Sequence, residues 1–341
     1  MLSFTNDYCE CAHEKVLEKM MEVRLEKNPG YGTDDYCKRA EALIKKACGS
    51  EDSEVYFLVG GTQTNQIIID TVCRPWEGVV AAETAHVNTH EAGAIEYSGH
   101  KVMTVPEHDG KASAEDVDRL CRLFYADDNH EHEVYPGMVY ISHPTELGTL
   151  YTVDELKKLR EVCDRYQMKL YLDGARLGTA LACPESDVTL KDIAELTDMF
   201  YIGGTKCGAL FGEAVVFNRG SMPERFNTRV KQHGGMLAKG WLLGLQFEVL
   251  FTDDLYLECG KNAIKTAEAL RKILAEKGYE FFVENPTNQI MVTVENSKME
   301  ELKKHVNFSF WDTVDENHTA IRFCTSWGTK VSDVEALRKV L

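Results

Sequence analysis

Seven short runs of the chain are apolar through most of their length: Val55–Val59, Gly78–Ala82, Lys101–Val105, Met138–Ser142, Lys169–Asp173, Met199–Gly203 and Glu213–Phe217. A strand with one wetted face alternates apolar and polar residues, whereas a strand covered on both faces has no polar side. Most of these runs therefore read as interior strands of a parallel sheet. The segments between them carry helix signals. Thr152-Val153-Asp154-Glu155 is a capping box ahead of Asp154–Tyr166, and Ser113 can cap Ala114–Tyr125, whose first turn is acidic. Alternating strands and helices predict an α/β sheet with helices on both faces. The link between the last two runs, about ten residues, is too short for a helical crossover, so the last strand is expected to be antiparallel.

Beyond Phe217 the pattern changes. A helical stretch runs from Leu237 to Leu274, with a break at Thr252–Asp254. Strand-like segments follow at Gly278–Asn285, Gln289–Asn296, Val306–Thr313 and Thr319–Trp327, with a short helix at Ser297–Val306. This predicts an arm over residues 1–14, a large domain over 15–249 and a small α+β domain over 250–341. The acidic stretch Asp127–Glu133 reads as an exposed loop. No internal repeat or low-complexity segment interrupts the plan.

Composition narrows the classes of function. The 341 residues are 44% hydrophobic and 27% charged, enough apolar material for a substantial core. A net charge of −17 argues against nucleic-acid or polyanion binding, which needs a basic surface. It leaves open a small anion held in a local pocket. No run of 18 apolar residues predicts a membrane span, and the first twenty residues lack the form of a secretory signal. Eleven cysteines, an odd number without a CxxC pair, read as reduced thiols of a cytoplasmic protein rather than disulfides or a zinc site.

In an open α/β sheet, ligands bind beyond the carboxyl ends of the strands, and four strand ends carry unusual residues. Gly60-Gly61-Thr62-Gln63-Thr64-Asn65 joins a strand to a helix and can cup an anion with free N–H groups, or be an ordinary turn. It matches neither a Walker A loop nor GxGxxG. Asp173 ends an apolar strand just before Gly174 and Arg176, either as a site acid or as a structural ion pair. Lys206 lies in Ile202–Gly208 between glycines, where desolvation can make it a nucleophile toward carbonyls; a surface lysine is the plainer alternative. His86 follows another strand end. His86 and His90 have the i, i+4 spacing of shared metal ligands, but no third ligand is evident and a structural histidine is the usual case. Together, a phosphate cup, a carboxylate, a lysine and a histidine suit a cofactor with a phosphate, a pyridine nitrogen and an aldehyde, namely pyridoxal 5′-phosphate (PLP).

The motifs YGTDD, FLVGGTQTNQ, ETAHVNTHEAGAIEYSGHKV, YLDGARLG and GGTKCGALFGEAVVF, with AIRFCTSW near the end, span nearly the whole chain. On them the sequence resembles the threonine aldolase and β-eliminating lyase family of fold-type I PLP enzymes. The resemblance implies a seven-stranded, mostly parallel large domain and a small C-terminal domain. It implies that Lys206 bonds to the cofactor aldehyde, Asp173 partners the ring nitrogen, Arg176 contacts the phenolic oxygen, and His86 stacks on the ring and is a candidate base. Gly61 and Thr62, with Thr205, match the phosphate turn, and Arg322 matches the arginine that grips the substrate carboxylate. Tyr31 and Gly32 match a loop that reaches a neighbouring subunit's site, to which Lys231 or Lys239 can add charge, so a homodimer or homotetramer is implied.

The chain departs from the family pattern at three places. Asn6 and Thr205 stand where serine is frequent, and Ser142-His143-Pro144-Thr145 replaces a frequent Glu-Asn-Thr-His. There Thr145 holds the aligned place of the histidine, and His143, two positions away, is expected near the substrate with Asn6 and Tyr31. The activity implied is cleavage of L-threonine, L-allo-threonine or a related β-hydroxy-α-amino acid to glycine and an aldehyde. Alternatives are β-elimination, racemisation or transamination on PLP, a non-catalytic module binding a phosphorylated molecule, and, most remote, a metallohydrolase built on the histidines.

Overall fold

A computed structural model describes residues 1–341, and in it the seven apolar runs form one sheet. Its strands are β1 (Glu54–Leu58), β2 (Glu77–Ala82), β3 (Val102–Val105), β4 (Tyr135–Ser142), β5 (Lys169–Asp173), β6 (Met199–Gly203) and β7 (Glu213–Phe217). They lie in the order β1-β7-β6-β5-β4-β2-β3. Strands β2 to β6 are mutually parallel, and β7 is antiparallel to both β1 and β6. The short β6–β7 link dictates this, because it leaves room only for a reversal. Every residue of β6 and β7 is buried, as their apolar sequences require, and Glu213 at the start of β7 is the one charged residue among them.

The flanking helices form where their caps announce them. Ser113 accepts the Asp116 N–H at the start of Ala114–Ala126, and Thr152 and Glu155 close a full capping box on Val153–Tyr166. The long C-terminal helical stretch divides into Trp241–Leu250 and Leu255–Glu276. Between them Asp253 and Asp254 take positive φ, a conformation that ends a right-handed helix. Trp241–Leu250 lies so close to helix Asp35–Cys48 that a Cβ on Gly244 would fall 2.5 Å from the Cys37 backbone. Asp127–Glu133 is a surface loop containing one 3₁₀ turn, His130–His132.

A second, antiparallel sheet holds β8 (Glu280–Phe281), β9 (Gln289–Glu295), β10 (Ser309–Thr313) and β11 (His318–Cys324), in the order β8-β9-β11-β10. Two large hydrophobic cores result, one of 57 residues around the large sheet and one of 15 residues on the small sheet, beside a minor cluster of Val23, Tyr36 and Leu245. Helix Leu255–Glu276 serves both. Leu255, Tyr256 and Cys259 belong to the larger core, and Ala267, Leu270, Ile273 and Leu274 to the smaller. A division at residue 250 thus falls just ahead of a helix that both cores share. The N-terminal arm is fastened to the small core. Leu2–Ser3 pairs in parallel with Val306–Asn307, and Phe4 is buried among the small-core residues. This carries the next few residues of the arm across to the ends of the central strands.

Candidate active site

Strand parity builds the floor of the site. Tyr140 on β4, Tyr171 on β5 and Tyr201 on β6 point to the same face of the sheet, and each is fully buried. A buried tyrosine needs a partner for its hydroxyl. Those of Tyr140 and Tyr201 donate to Asp173, at 2.6 and 2.5 Å, and that of Tyr171 donates to Asn65 at 2.7 Å. Asn65 Nδ2 and the Ala175 N–H also donate to Asp173, at 3.1 and 2.9 Å. Burial pushes the Asp173 carboxyl up, but the charge of His86 and the donors from Tyr140, Tyr201 and Ala175 outweigh it and hold the group below its ordinary value. Gly174 permits this crowding, since a Cβ there would meet the Tyr201 carbonyl at 2.0 Å.

Lys206 follows β6 and lines the same cavity, which has a volume of about 330 Å³. Burial, then the charge of Arg176, pushes its ammonium below the ordinary lysine value, against the pull of Asp7, Asp173 and Glu213. Burial pushes Glu213 up, although Thr205 Oγ1 donates to it at 2.8 Å. Arg176 grips Asp7 of the arm in a bidentate pair, Nε to Oδ2 at 2.7 Å and Nη2 to Oδ1 at 3.1 Å. Asn288, in the bend just ahead of β9 of the small sheet, adds a third donor to Asp7 at 2.9 Å. Arm, large sheet and small sheet are thus tied at one carboxylate.

Opposite, helix Gly61–Val72 begins at the cavity wall. Its N-cap, Gly60, offers no side-chain cap, so the first N–H groups of the helix, from Gly61 and Thr62 onward, remain free for an anion. His86 lines the cavity too. Its Nδ1 is 2.7 Å from Glu91 Oε1, and Asn65 Nδ2 donates to the same oxygen at 2.7 Å. The Glu91 carboxylate is wholly buried, so this network fixes the imidazole from behind. His86 also stacks with His90 (5.7 Å between ring centres), and His90 with Trp311 (6.4 Å).

A second cavity of about 400 Å³ adjoins the first. Arg322 lines it, donating from Nη1 to Gln289 Oε1 at 2.9 Å and lying 5.4 Å from the Trp311 ring centre. Its Nε is buried with no hydrogen-bond partner in the protein. Tyr8, His86, Glu146, Arg176 and Lys206 line both cavities.

Of the residues predicted from sequence, the structure brings Lys206, Asp173, Arg176, His86, Gly61, Thr62 and Thr205 to the first cavity and Arg322 to the second. Three lie elsewhere. His143 is a correction. Parity turns it away from the face that carries Tyr140 and Ser142, and it is sealed in the interior, where its Nδ1 accepts the Tyr151 N–H at 3.3 Å. Asn6 lines neither cavity; its Oδ1 accepts the Tyr8 N–H at 3.1 Å and shapes the arm. Tyr31 is half exposed on a separate surface, its ring 5.0 Å from Lys231 Nζ, with the exposed Lys239 nearby in the chain turn that receives it. No group of three or more His, Cys, Asp or Glu side chains is arranged to hold a metal, and no helix is long and apolar enough to cross a membrane.

The residues present fit PLP. A carboxylate kept ionised while buried suits a protonated ring nitrogen, a desolvated lysine of lowered basicity suits an aldehyde, and an uncapped helix start suits a phosphate. Fold and site therefore define a fold-type I enzyme of amino-acid chemistry. More narrowly, residues 7–297 match the model of the beta-eliminating lyases, and the chain belongs to that family. A low-specificity L-threonine aldolase of a Pseudomonas species is 30% identical over 313 residues, covering 90% of this chain and 87% of the relative. A namesake from Pseudomonas aeruginosa is 28% identical over 349 residues, covering 99% and 98%. The solved structure of a Leishmania major threonine aldolase is 40% identical and superposes over 100% of both chains with a TM-score of 0.95.

Sequence reasoning missed Asp7, Tyr8, Asn65, Glu91, Glu146 and Glu213. One signal was available. The runs Met138–Ser142, Lys169–Asp173 and Met199–Gly203 all carry tyrosine at the third position. Three such tyrosines in parallel interior strands share one face and require polar partners there.

Proposed function

We propose that this protein is a PLP-dependent aldolase that cleaves L-threonine, L-allo-threonine or a related β-hydroxy-α-amino acid to glycine and an aldehyde. The observation that carries the reading is the meeting of an ionised buried Asp173, a desolvated Lys206 and the uncapped helix start at Gly61 in one cavity. The names of the relatives give the bond that is broken.

Asp173 would hold the pyridine nitrogen, Lys206 the aldehyde carbon, His86 a ring face, and the N–H groups of Gly61 and Thr62 the phosphate, while the Thr205 hydroxyl at the same wall is committed to Glu213. When bound, the cofactor supplies a sink for the electron pair released at Cα of the substrate. The chain's residues do the rest. Arg322 grips the substrate carboxylate through its Nη groups, and so fixes which Cα bond is presented for cleavage. Asp173, held by four donors, stays ionised and keeps positive charge on the ring nitrogen. Lys206, whose ammonium burial pushes below the ordinary lysine value, can take up a proton at Cα and return it once protonated.

Tyr31 and Lys231 lie outside both cavities of their own chain. They fit the part of residues offered to a neighbour's phosphate in a homodimer or homotetramer. Eleven unpaired cysteines, nine of them buried, suit a reducing cytoplasm. The test is Lys206→Ala against wild type. Wild type loaded with PLP should show the visible absorbance of lysine-bound cofactor and release acetaldehyde and glycine from L-threonine, and the variant should do neither. Ammonia and an oxo acid as products would instead mark elimination, and dependence on a 2-oxo acid would mark transamination.

A further inference from the structure

The position aligned with the family's substrate-facing histidine is occupied by Thr145, whose hydroxyl is engaged with Thr149 Oγ1 at 2.7 Å in the interior. His143 is sealed away as well. The next residue, Glu146, is the acid that this loop does present to the site. Its Oε1 accepts the backbone N–H of His86 at 3.0 Å and the Ser142 hydroxyl at 2.6 Å, which fixes the carboxyl at the junction of the two cavities. Its Oε2 has no hydrogen bond within the protein and is not sealed from solvent, so it is open to a ligand. His86 has Nδ1 committed to Glu91 and one ring face against His90, which leaves Nε2 as its one ring nitrogen without a protein partner.

From this geometry we propose that Glu146 is the catalytic residue that accepts the β-hydroxyl proton of the substrate. The proposal rests on the aldolase reading above. As the Cα–Cβ bond breaks, the hydroxyl proton passes to Oε2 and the oxygen electron pair completes the C=O of the departing aldehyde. The bonding pair stays with the Cα half, which takes up one proton to become glycine, and Glu146 loses its proton to solvent before the next turnover. Burial pushes the Glu146 carboxyl up, toward the range in which a carboxylate is an effective base near neutrality. The titratable groups that face it are His86 after β2, Tyr140 on β4, Tyr151, Asp173 on β5 and Arg176 beyond it, and Lys206 across the shared cavity. Its titration is therefore that of a coupled set.

The test compares PLP-loaded wild type, Glu146→Gln and Glu146→Asp by three readouts. These are the visible absorbance of bound cofactor, exchange of the glycine α-hydrogen in deuterated water by NMR, and cleavage of L-threonine. Exchange at glycine needs the cofactor and Cα chemistry but no β-hydroxyl. Glu146→Gln should keep absorbance and exchange within about 3-fold while kcat for cleavage falls by roughly 10²–10⁴-fold. Glu146→Asp should recover part of that loss, and the fall in cleavage toward acid pH seen in wild type should be absent from the residual activity of Glu146→Gln. Cleavage by Glu146→Gln within 3-fold of wild type, or equal losses of exchange and cleavage, overturns the role. A wild-type protein that exchanges glycine but cleaves no β-hydroxy amino acid overturns the aldolase reading, and Glu146's role with it.

Discussion

Asp7→Asn tests whether the N-terminal arm is latched by charge. Asp7 is 1% exposed and its partner Arg176 has a side chain 13% exposed, so the pair is shielded from most of the solvent. The substitution keeps shape and one acceptor but removes the charge that balances the guanidinium. Removing one member of a buried ion pair costs about 3–5 kcal/mol, because the other is left uncompensated. Arg176 borders both cavities, where water can reach it, so the lower end applies, about 3 kcal/mol or roughly a hundredfold in the folding equilibrium. Urea unfolding of the cofactor-free protein measures this, with limited proteolysis of residues 1–13 reporting whether the arm lets go first. Asp7→Asn with Arg176→Gln should recover part of the loss, since the two residues touch. The pH dependence has a definite sign. Burial opposes ionisation of Asp7, but Arg176 and Lys206 hold its carboxyl well below the ordinary value. Its stabilisation is therefore complete above the unfolded value, about 4, and is lost as pH falls below it. The variant should lack that component. A loss under 1 kcal/mol, or strict additivity of the two substitutions, refutes the latch.

Two further outcomes follow from the geometry. Arg322→Lys replaces a planar fork with a point charge, so KM for the amino acid should rise about 10- to 100-fold while cofactor absorbance is unchanged; an unaltered KM places the carboxylate elsewhere. Burial pushes His143 down to about 4, and the unfolded chain takes up that proton nearer 6.5. Wild-type stability should then fall between those pH values by up to about 3 kcal/mol, and His143→Gln should flatten that window with little change in kcat for threonine cleavage; an unchanged slope would mean that His143 is charged in the folded state.

What could be read from the chain divides by distance along it. The strands and their caps are short-range patterns, and the polarity of β7 follows from a link too short to cross. Asp173 and Lys206 were visible because an ionisable residue at the end of an apolar strand is a local anomaly, and parallel strand ends converge. Asp7 and Arg176 are 169 positions apart, and Asn288 lies 281 from Asp7; no local pattern relates them. Glu91 sits in a polar segment where one carboxylate resembles another, and only the buried Asn65 and His86 around it set it apart.

His143 and Glu146 show how a local signal misleads. In a loop that had lost its expected histidine, the nearest histidine was the natural substitute by residue type. Strand parity decides otherwise. Tyr140 and Ser142 face the site, His143 must then face away, and the chain returns to the cavity wall over Pro144, Thr145 and Glu146, of which Glu146 alone is an acid. An alternation count from Tyr140, whose hydroxyl needs Asp173, excludes His143 without coordinates. Residue type proposes candidates for a role, and the pleat of the strand that leads into the loop selects among them. For this chain that selection turns the search for a proton acceptor from an imidazole to a carboxylate.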